Sequence, residues 1–218
     1  MTIRHHLTDQ LLMAYSAGEL PEAFSLVVAT HISRCDECRA RLASFDAVGG
    51  AVLTQCDAAP MASGSLAATM AMIRSRAIEG VGPPRERPAP VSGLFPAPLR
   101  DYVGGDLDRV QWRAVGGGVR QAILRTEGPG SVRLLRIPAG VAVPDHGHRG
   151  LELTQVLQGA FHDGEDRFGP GDIDVADEST HHTPVAEDGP DCICLAATDA
   201  PLRFRSLLPR IAQPFLRI

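Results

Sequence analysis

Long apolar runs are missing from this sequence. Its apolar stretches are short, such as "LVVA" at 26–29, far below the ~20 residues that cross a bilayer. A membrane-spanning protein is therefore not expected. The opening "MTIRHHLTDQ" is polar and has no apolar core of a signal peptide, so a cytoplasmic protein is expected. An excess of positive charge is missing too. The net charge is −5, with no basic stripe, which argues against binding nucleic acid by displacing counterions from phosphates. No serine or aspartate sits in a nucleophile elbow or triad motif. Five cysteines is an odd number, unlike the paired set of a secreted protein, and in the cytoplasm Cys-x2-Cys points to metal or redox chemistry. What the chain does have is ordinary core-forming material, 44% hydrophobic in 218 residues.

Residues 81–98, "VGPPRERPAPVSGLFPAP", hold six prolines in eighteen positions. Proline fixes φ and removes a donor, so this stretch is predicted to run extended and to couple its flanks only loosely. The two sides differ in character, which predicts a two-domain α + β chain: a small all-α domain over 1–80 and an all-β barrel or sandwich over 99–218. In the first half, Leu7, Leu11 and Tyr15 recur at helical spacing, with Thr8 to cap and Gly18 to end the helix. Pro21 suits the first turn of a second helix bearing Phe24, Val27, Val28 and Ile32. A third, "ECRARLASFDAV", is predicted to stop at Gly49-Gly50, and a fourth spans about 65–79 from a Ser65 cap. In the second half "VRLLRIPAG", "LELTQVLQGAF", "DIDVAD" and "CICLAA" read as short strands between Gly, Pro and Asp turns.

Two clusters carry chemistry. In "THISRCDECRA", His31, Cys35 and Cys38 fall within eight residues. Imidazole and thiolate are the ligands zinc prefers, usually four in a tetrahedron. On one continuous helix the three side chains would lie within roughly 60° of one another. If Asp36 caps a new helix instead, Cys38 sits in its first turn, and either geometry gathers all three. A fourth ligand is needed, and His5 and His6 are the other histidines of this half. Inert buried thiols or a dithiol redox couple are the alternatives. The arrangement resembles the zinc-binding anti-sigma domains of bacteria, and that resemblance implies His6, His31, Cys35 and Cys38 as zinc ligands. It also implies a three-helix core and a fourth helix that clamp an extracytoplasmic-function sigma factor away from RNA polymerase. On the fourth helix, Leu66, Met70, Ile73 and Ala77 form an apolar stripe, read here as partner-binding rather than packed on its own domain.

The second cluster, "GVAVPDHGHRGLELTQVLQG", fits G-x5-H-x-H-x3-E-x6-G from Gly140 to Gly159 and resembles the first cupin motif. His146 and His148 face one way along a strand, and Glu152 begins the next. After Pro170-Gly171 come His181 and His182; the match to related sequences implies His182 as the third imidazole and leaves His181 on the outer face. The second motif departs from the usual one, with a long gap to the histidine and Ala186 where an asparagine is usual. Three imidazoles and one carboxylate suit zinc or another divalent metal, with open positions left over.

Together the halves resemble the zinc-dependent cupin anti-sigma factors of the ChrR type over essentially the whole chain, including "EAFSLVVATH", "GGGVRQAIL", "PDHGHRGLELT", "DCICLAATDAPLRF" and the final "FLRI". That resemblance implies a regulator, not an enzyme. The helical domain would hold the sigma factor as a 1:1 heterodimer, and the cupin would be needed to respond to singlet oxygen and related oxidants. The alternative is a cupin metalloenzyme, a dioxygenase or isomerase with an accessory helical domain. Cys192 and Cys194 alternate on a strand and read as core; Cys56 has no assigned role.

Overall fold

The computed structural model describes residues 2–80, 93–204 and 213, the side chains of 76–80 excepted. Residues 81–92 of the predicted linker, the Ala77 side chain and "FLRI" lie outside the described residues. Helix α1 (Asp9–Ser16) starts at Thr8, whose hydroxyl accepts the Leu11 N–H at 3.3 Å. Helix α2 (Glu22–Ile32) begins just after Pro21, which serves as the cap residue and not as part of the first turn. Helix α3 (Asp36–Thr54) corrects the expected stop at Gly49-Gly50 by running through both glycines. Neither adopts positive φ, and a mid-helix glycine costs only about 1 kcal/mol against alanine. Helix α4 (Ser65–Gly80) matches the fourth predicted helix within a residue.

Among the described residues the remainder is a short helix α5 (Ala97–Val103), a 3-10 turn (Leu107–Arg109) and twelve strands. A six-stranded antiparallel sheet runs in the order β1 (Arg113–Gly116), β2 (Val119–Leu124), β3 (Ser131–Ile137), β11 (Cys192–Thr198), β5 (Glu152–Gln158), β8 (Ile173–Ala176). Two three-stranded sheets complete the β part: β10 (Val185–Ala186), β6 (Phe161–Asp163) and β7 (Asp166–Phe168), and β12 (Arg203–Phe204), β4 (His146–Gly147) and β9 (His181–His182). The strands predicted from sequence correspond to β3, β5 with β6, β8 and β11. The β1–β2 hairpin and α5 were not anticipated; three consecutive glycines, Gly116 to Gly118, turn the hairpin where the sequence reading found no strand pair.

The expected loose coupling of the halves is not what forms. The described residues up to 49 and from 93 onward make one compact unit, and those from 50 to 80 belong to another. In the first unit Leu7, Leu12, Phe24, Val27 and Val28 share a single core with Val132, Leu134, Leu153, Leu157 and Leu195 of the six-stranded sheet. The physical cause is α2 itself. Phe24, Leu26, Val27 and Val28 are all buried, and a helix that is apolar on several sides needs more than one neighbour to cover it. Gly130, beside Phe24 and Ala23 on this seam, holds φ +88°, a backbone conformation that favours glycine, and a Cβ there would also crowd the Thr198 carbonyl at 3.3 Å. Polar bonds reinforce the seam. The Asp172 carboxylate accepts the Arg4 and His5 N–H groups at 2.6 and 3.1 Å, and Ile173 N–H donates to the His5 carbonyl at 3.3 Å. Glu22 accepts from the Tyr102 hydroxyl and the Glu127 N–H. Arg34 donates to the Leu94 carbonyl at 2.9 Å, which anchors the last residues of the Pro-rich stretch beside the buried Phe95.

A shared core predicts shared unfolding. Phe24→Ala should cost about 3–5 kcal/mol, and the loss should appear equally in the helical circular dichroism and in the fluorescence of Trp112, the single tryptophan, which packs against the same core. A helical signal that melts early while Trp112 fluorescence keeps its original midpoint would contradict the shared core.

Candidate metal centres

The first centre draws on four places in the chain. His6 comes from the segment before α1, His31 from the last turn of α2, Cys35 from the break after it, and Cys38 from the first turn of α3. Of the two geometries open to the sequence, the structure adopts the broken helix. The cap is Cys35 and not Asp36: the Cys38 N–H donates to the Cys35 sulfur at 3.4 Å. His6 Nδ1 lies 3.2 Å from Cys35 Sγ and 3.7 Å from Cys38 Sγ, and His31 Nε2 lies 3.3 Å from Cys38 Sγ. All four ligand atoms fall within 4.8 Å of one another. Ligand atoms around a tetrahedral zinc stand about 3.3–3.8 Å apart given its bond lengths, so the cluster fits that ion. Of His5 and His6, it is His6 whose ring lies beside the sulfurs. The His5 ring packs tilted against Phe168, with ring centroids 4.2 Å apart, and is not in the Cys/His cluster. His6 turns its other nitrogen to the Glu37 carboxylate at 3.3 Å, the outer partner that orients a ligating imidazole.

Electrostatics agree with metal ligation. Burial, aided by neighbouring His6, lowers the His31 pKa to about 4, against the raising effects of the Gly171 carbonyl and Asp172. Its ring is thus neutral and able to ligate. Burial pushes the Cys38 thiol up to about 11, with Cys35 adding to the rise, so a metal must displace its proton.

The second centre is built by pairing β4 with β9, which sets His146 opposite His182. Nε2 of His182 lies 3.1 Å from Nε2 of His146 and 3.1 Å from Nε2 of His148. Each outer nitrogen has its own setting. His146 Nδ1 meets the Pro144 carbonyl at 2.8 Å and His182 Nδ1 meets the Asp163 carboxylate at 2.6 Å. Both partners are acceptors, so those Nδ1 atoms hold the protons and their Nε2 lone pairs converge. Burial lowers His146 and His148 to about 4, so these two rings are neutral near pH 7. A cation between the converging lone pairs would satisfy them. The donor set therefore fits a divalent ion with open positions. Glu152 is less directly aimed, with Oε2 3.9 Å from His148 Nδ1 and Oε1 accepting from the Thr154 hydroxyl at 3.2 Å. It borders the same cavity as His146 and His182. His181 is exposed, as expected, while His182 is buried.

Sequence reading missed the outer partners. Asp163 and Asp174 gather beside His182, and Asp163 lies nineteen residues before His182, with no motif linking them. Cys192 and Cys194 are buried with sulfurs 3.5 Å apart, in a core cluster with Val156 and Phe161. On α4, Leu66 is 76% exposed, Ile73 56% and Met70 39%. Met72, outside the predicted stripe, is exposed as well. Among the described residues no helix is long and apolar enough to cross a membrane.

Known proteins are similar to this chain over much or all of its length. The family model described as the ChrR cupin-like domain matches residues 101–201. The chain is 62% identical over 218 residues to the anti-sigma-E factor ChrR of Cereibacter sphaeroides, which covers all of both sequences. It is also similar to a chain in the crystal structure of Rhodobacter sphaeroides SigE in complex with the anti-sigma ChrR. There the identity is 59% and the TM-score 0.79, over 91% of this chain and all of that one.

Two predictions come from the centres. Asp163→Asn should weaken metal binding at the histidine centre by about 10–100-fold and leave the Cys/His centre filled, as read by metal analysis during chelator titration; equal loss at both would refute the assignment. Acid should act through the histidines. Their folded values near 4 lie below the ordinary 6.5, so the unfolded chain takes up protons first as the pH falls. Metal-free protein should therefore lose stability between about pH 6.5 and 4, measured as a falling denaturant midpoint. A midpoint constant across that window would contradict the buried neutral rings.

Proposed function

The chain belongs to the ChrR family of anti-sigma factors, and from that premise we propose that it sequesters an extracytoplasmic-function sigma factor one-to-one in the cytoplasm. The helical part, residues 1–80, is the clamp. The cupin part, residues 99–218, receives an oxidative signal, with singlet oxygen the leading agent, and its reception frees the sigma factor for transcription. It acts by binding and not by turnover; the full-length relative is itself named as a regulator, and this favours the regulator over the metalloenzyme reading.

The observation that carries the reading is the uncovered apolar surface of α4, where Leu66, Met70, Met72 and Ile73 all face solvent. Adjacent exposed apolar side chains on a helix mark a partner surface, and methionines adapt to the partner's contour. The relative's complex with SigE supports a sigma factor as that partner. His6, His31, Cys35 and Cys38 would hold zinc, which crosslinks the segment before α1 to α2 and α3. His146, His148 and His182, with Glu152 as a further ligand, would hold zinc or another divalent ion in the cupin. There the chain's own residues set the arrangement: Asp163 and the Pro144 carbonyl fix the rings, and the apolar barrel walls limit water.

Met70→Asp should weaken sigma-factor binding by about two orders of magnitude, since a charge would be buried without a partner, while zinc content stays unchanged. His146→Ala should bind the sigma factor normally and fail to release it under singlet oxygen. Normal binding by Met70→Asp, or constitutive sigma-dependent transcription with His146→Ala, would overturn the corresponding part of the proposal.

A further inference from the structure

The barrel encloses a cavity of about 580 Å³, within the size range of small-molecule sites. Its walls are mostly apolar, with Val119, Leu135, Ile137, Val143, Phe161 and Phe204 among them. Set into that lining is Arg133, a cation only 5% exposed. Its placement follows from the strand register: Arg133 is opposite Ala196 on β11, and Ala196 is opposite Thr154 on β5, both of which also line the cavity.

Arg133 is under-satisfied. Nη1 donates to the Gln121 side-chain oxygen at 3.3 Å and Nη2 to the Ser131 hydroxyl at 3.0 Å. A guanidinium has five N–H donors, so these two bonds leave three. Both acceptors are neutral. Among the described residues no carboxylate lies within 4 Å of the guanidinium, and Glu152 acts on it only at longer range. A buried cation without a contacting counter-ion is costly, and a planar guanidinium matches a carboxylate in a paired, two-bond geometry. The wall also carries the Glu152 and Asp174 carboxylates, neither within ion-pair distance of the guanidinium, so an apolar body with one anionic end finds Arg133 as the cation it can contact there.

We propose that the barrel interior is a binding site for a small amphipathic monoanion, a medium-chain alkyl carboxylate, with the carboxylate on Arg133 and the alkyl chain against Leu135, Ile137 and Phe161. The site goes beyond sigma-factor sequestration and stands independently of it. It also differs from the histidine centre that borders the same cavity, because the anion is held by the guanidinium and not by a metal.

The test uses the full-length metal-loaded protein, with decanoate as probe and decanol as its uncharged counterpart, in calorimetric titration. Decanoate should bind at least tenfold more tightly than decanol. Arg133→Gln, which keeps a polar planar side chain beside Gln121, should weaken decanoate at least thirtyfold and leave decanol within threefold. Leu135→Trp, which fills the chamber but keeps the cation, should weaken both probes at least tenfold, with thermal melts confirming that each variant is folded. No binding of decanoate to the wild type would overturn the proposal. Equal decanoate affinity in Arg133→Gln would do so too, as would binding lost in His146→Ala but retained in Arg133→Gln, since the anion would then sit on the metal.

Discussion

Four side chains, one from before α1 and three from the end of α2, the break after it and the start of α3, meet between α2 and α3, and the helical half is organised around that meeting. The three helices that precede residue 55 have few large side chains of their own to bury against one another. Several of those they do have, Phe24 and Val28 among them, belong to the core shared with the sheet. His31 and Cys38 are fully buried polar groups, which without a shared cation would be an expense to folding. With one, each becomes a bond between segments that propensity alone leaves unconnected. For a site that exists only in the folded chain, the free energy of ion binding is folding free energy.

The same segment that delivers His6 is tied to the barrel. Asp172 accepts the backbone N–H groups of Arg4 and His5, and two residues on, Asp174 belongs to the group that includes His182. One short stretch of β8 and its preceding turn therefore touches the surroundings of both centres. The helical half and the barrel are in this sense one folded body, whereas α4 belongs to the second compact unit and carries the exposed apolar side chains.

Much of this was legible in the sequence, and the limits have physical causes. Histidines and cysteines at ligand spacing declare themselves, because few other reasons gather them so closely. The helices and main strands followed from apolar period and turn residues. The docking of α2 on the sheet was not legible: prolines at 83–98 speak for a flexible connection, but what fixes the halves is the apolar surplus on α2, whose significance depends on what lies opposite. Gly49-Gly50 misled for a related reason, since a local cost of about 1 kcal/mol per glycine is smaller than what the flanking helix recovers. The partners Glu37 and Asp163 carry no motif, because a carboxylate that orients a histidine need only be near it in space. Arg133 likewise looks like any strand arginine until the register turns it inward.

The central claim is that the Cys/His centre makes the clamp, and stepwise zinc titration of metal-free protein in the presence of labelled sigma factor tests it most directly. Sigma-factor binding should rise in step with filling of the site at His6, His31, Cys35 and Cys38, followed through the thiolate-to-metal absorption of a cobalt substitute, and filling of the histidine centre should add nothing to affinity. Tight sigma-factor binding by fully metal-free protein, or binding that appears only when the histidine centre fills, would contradict it.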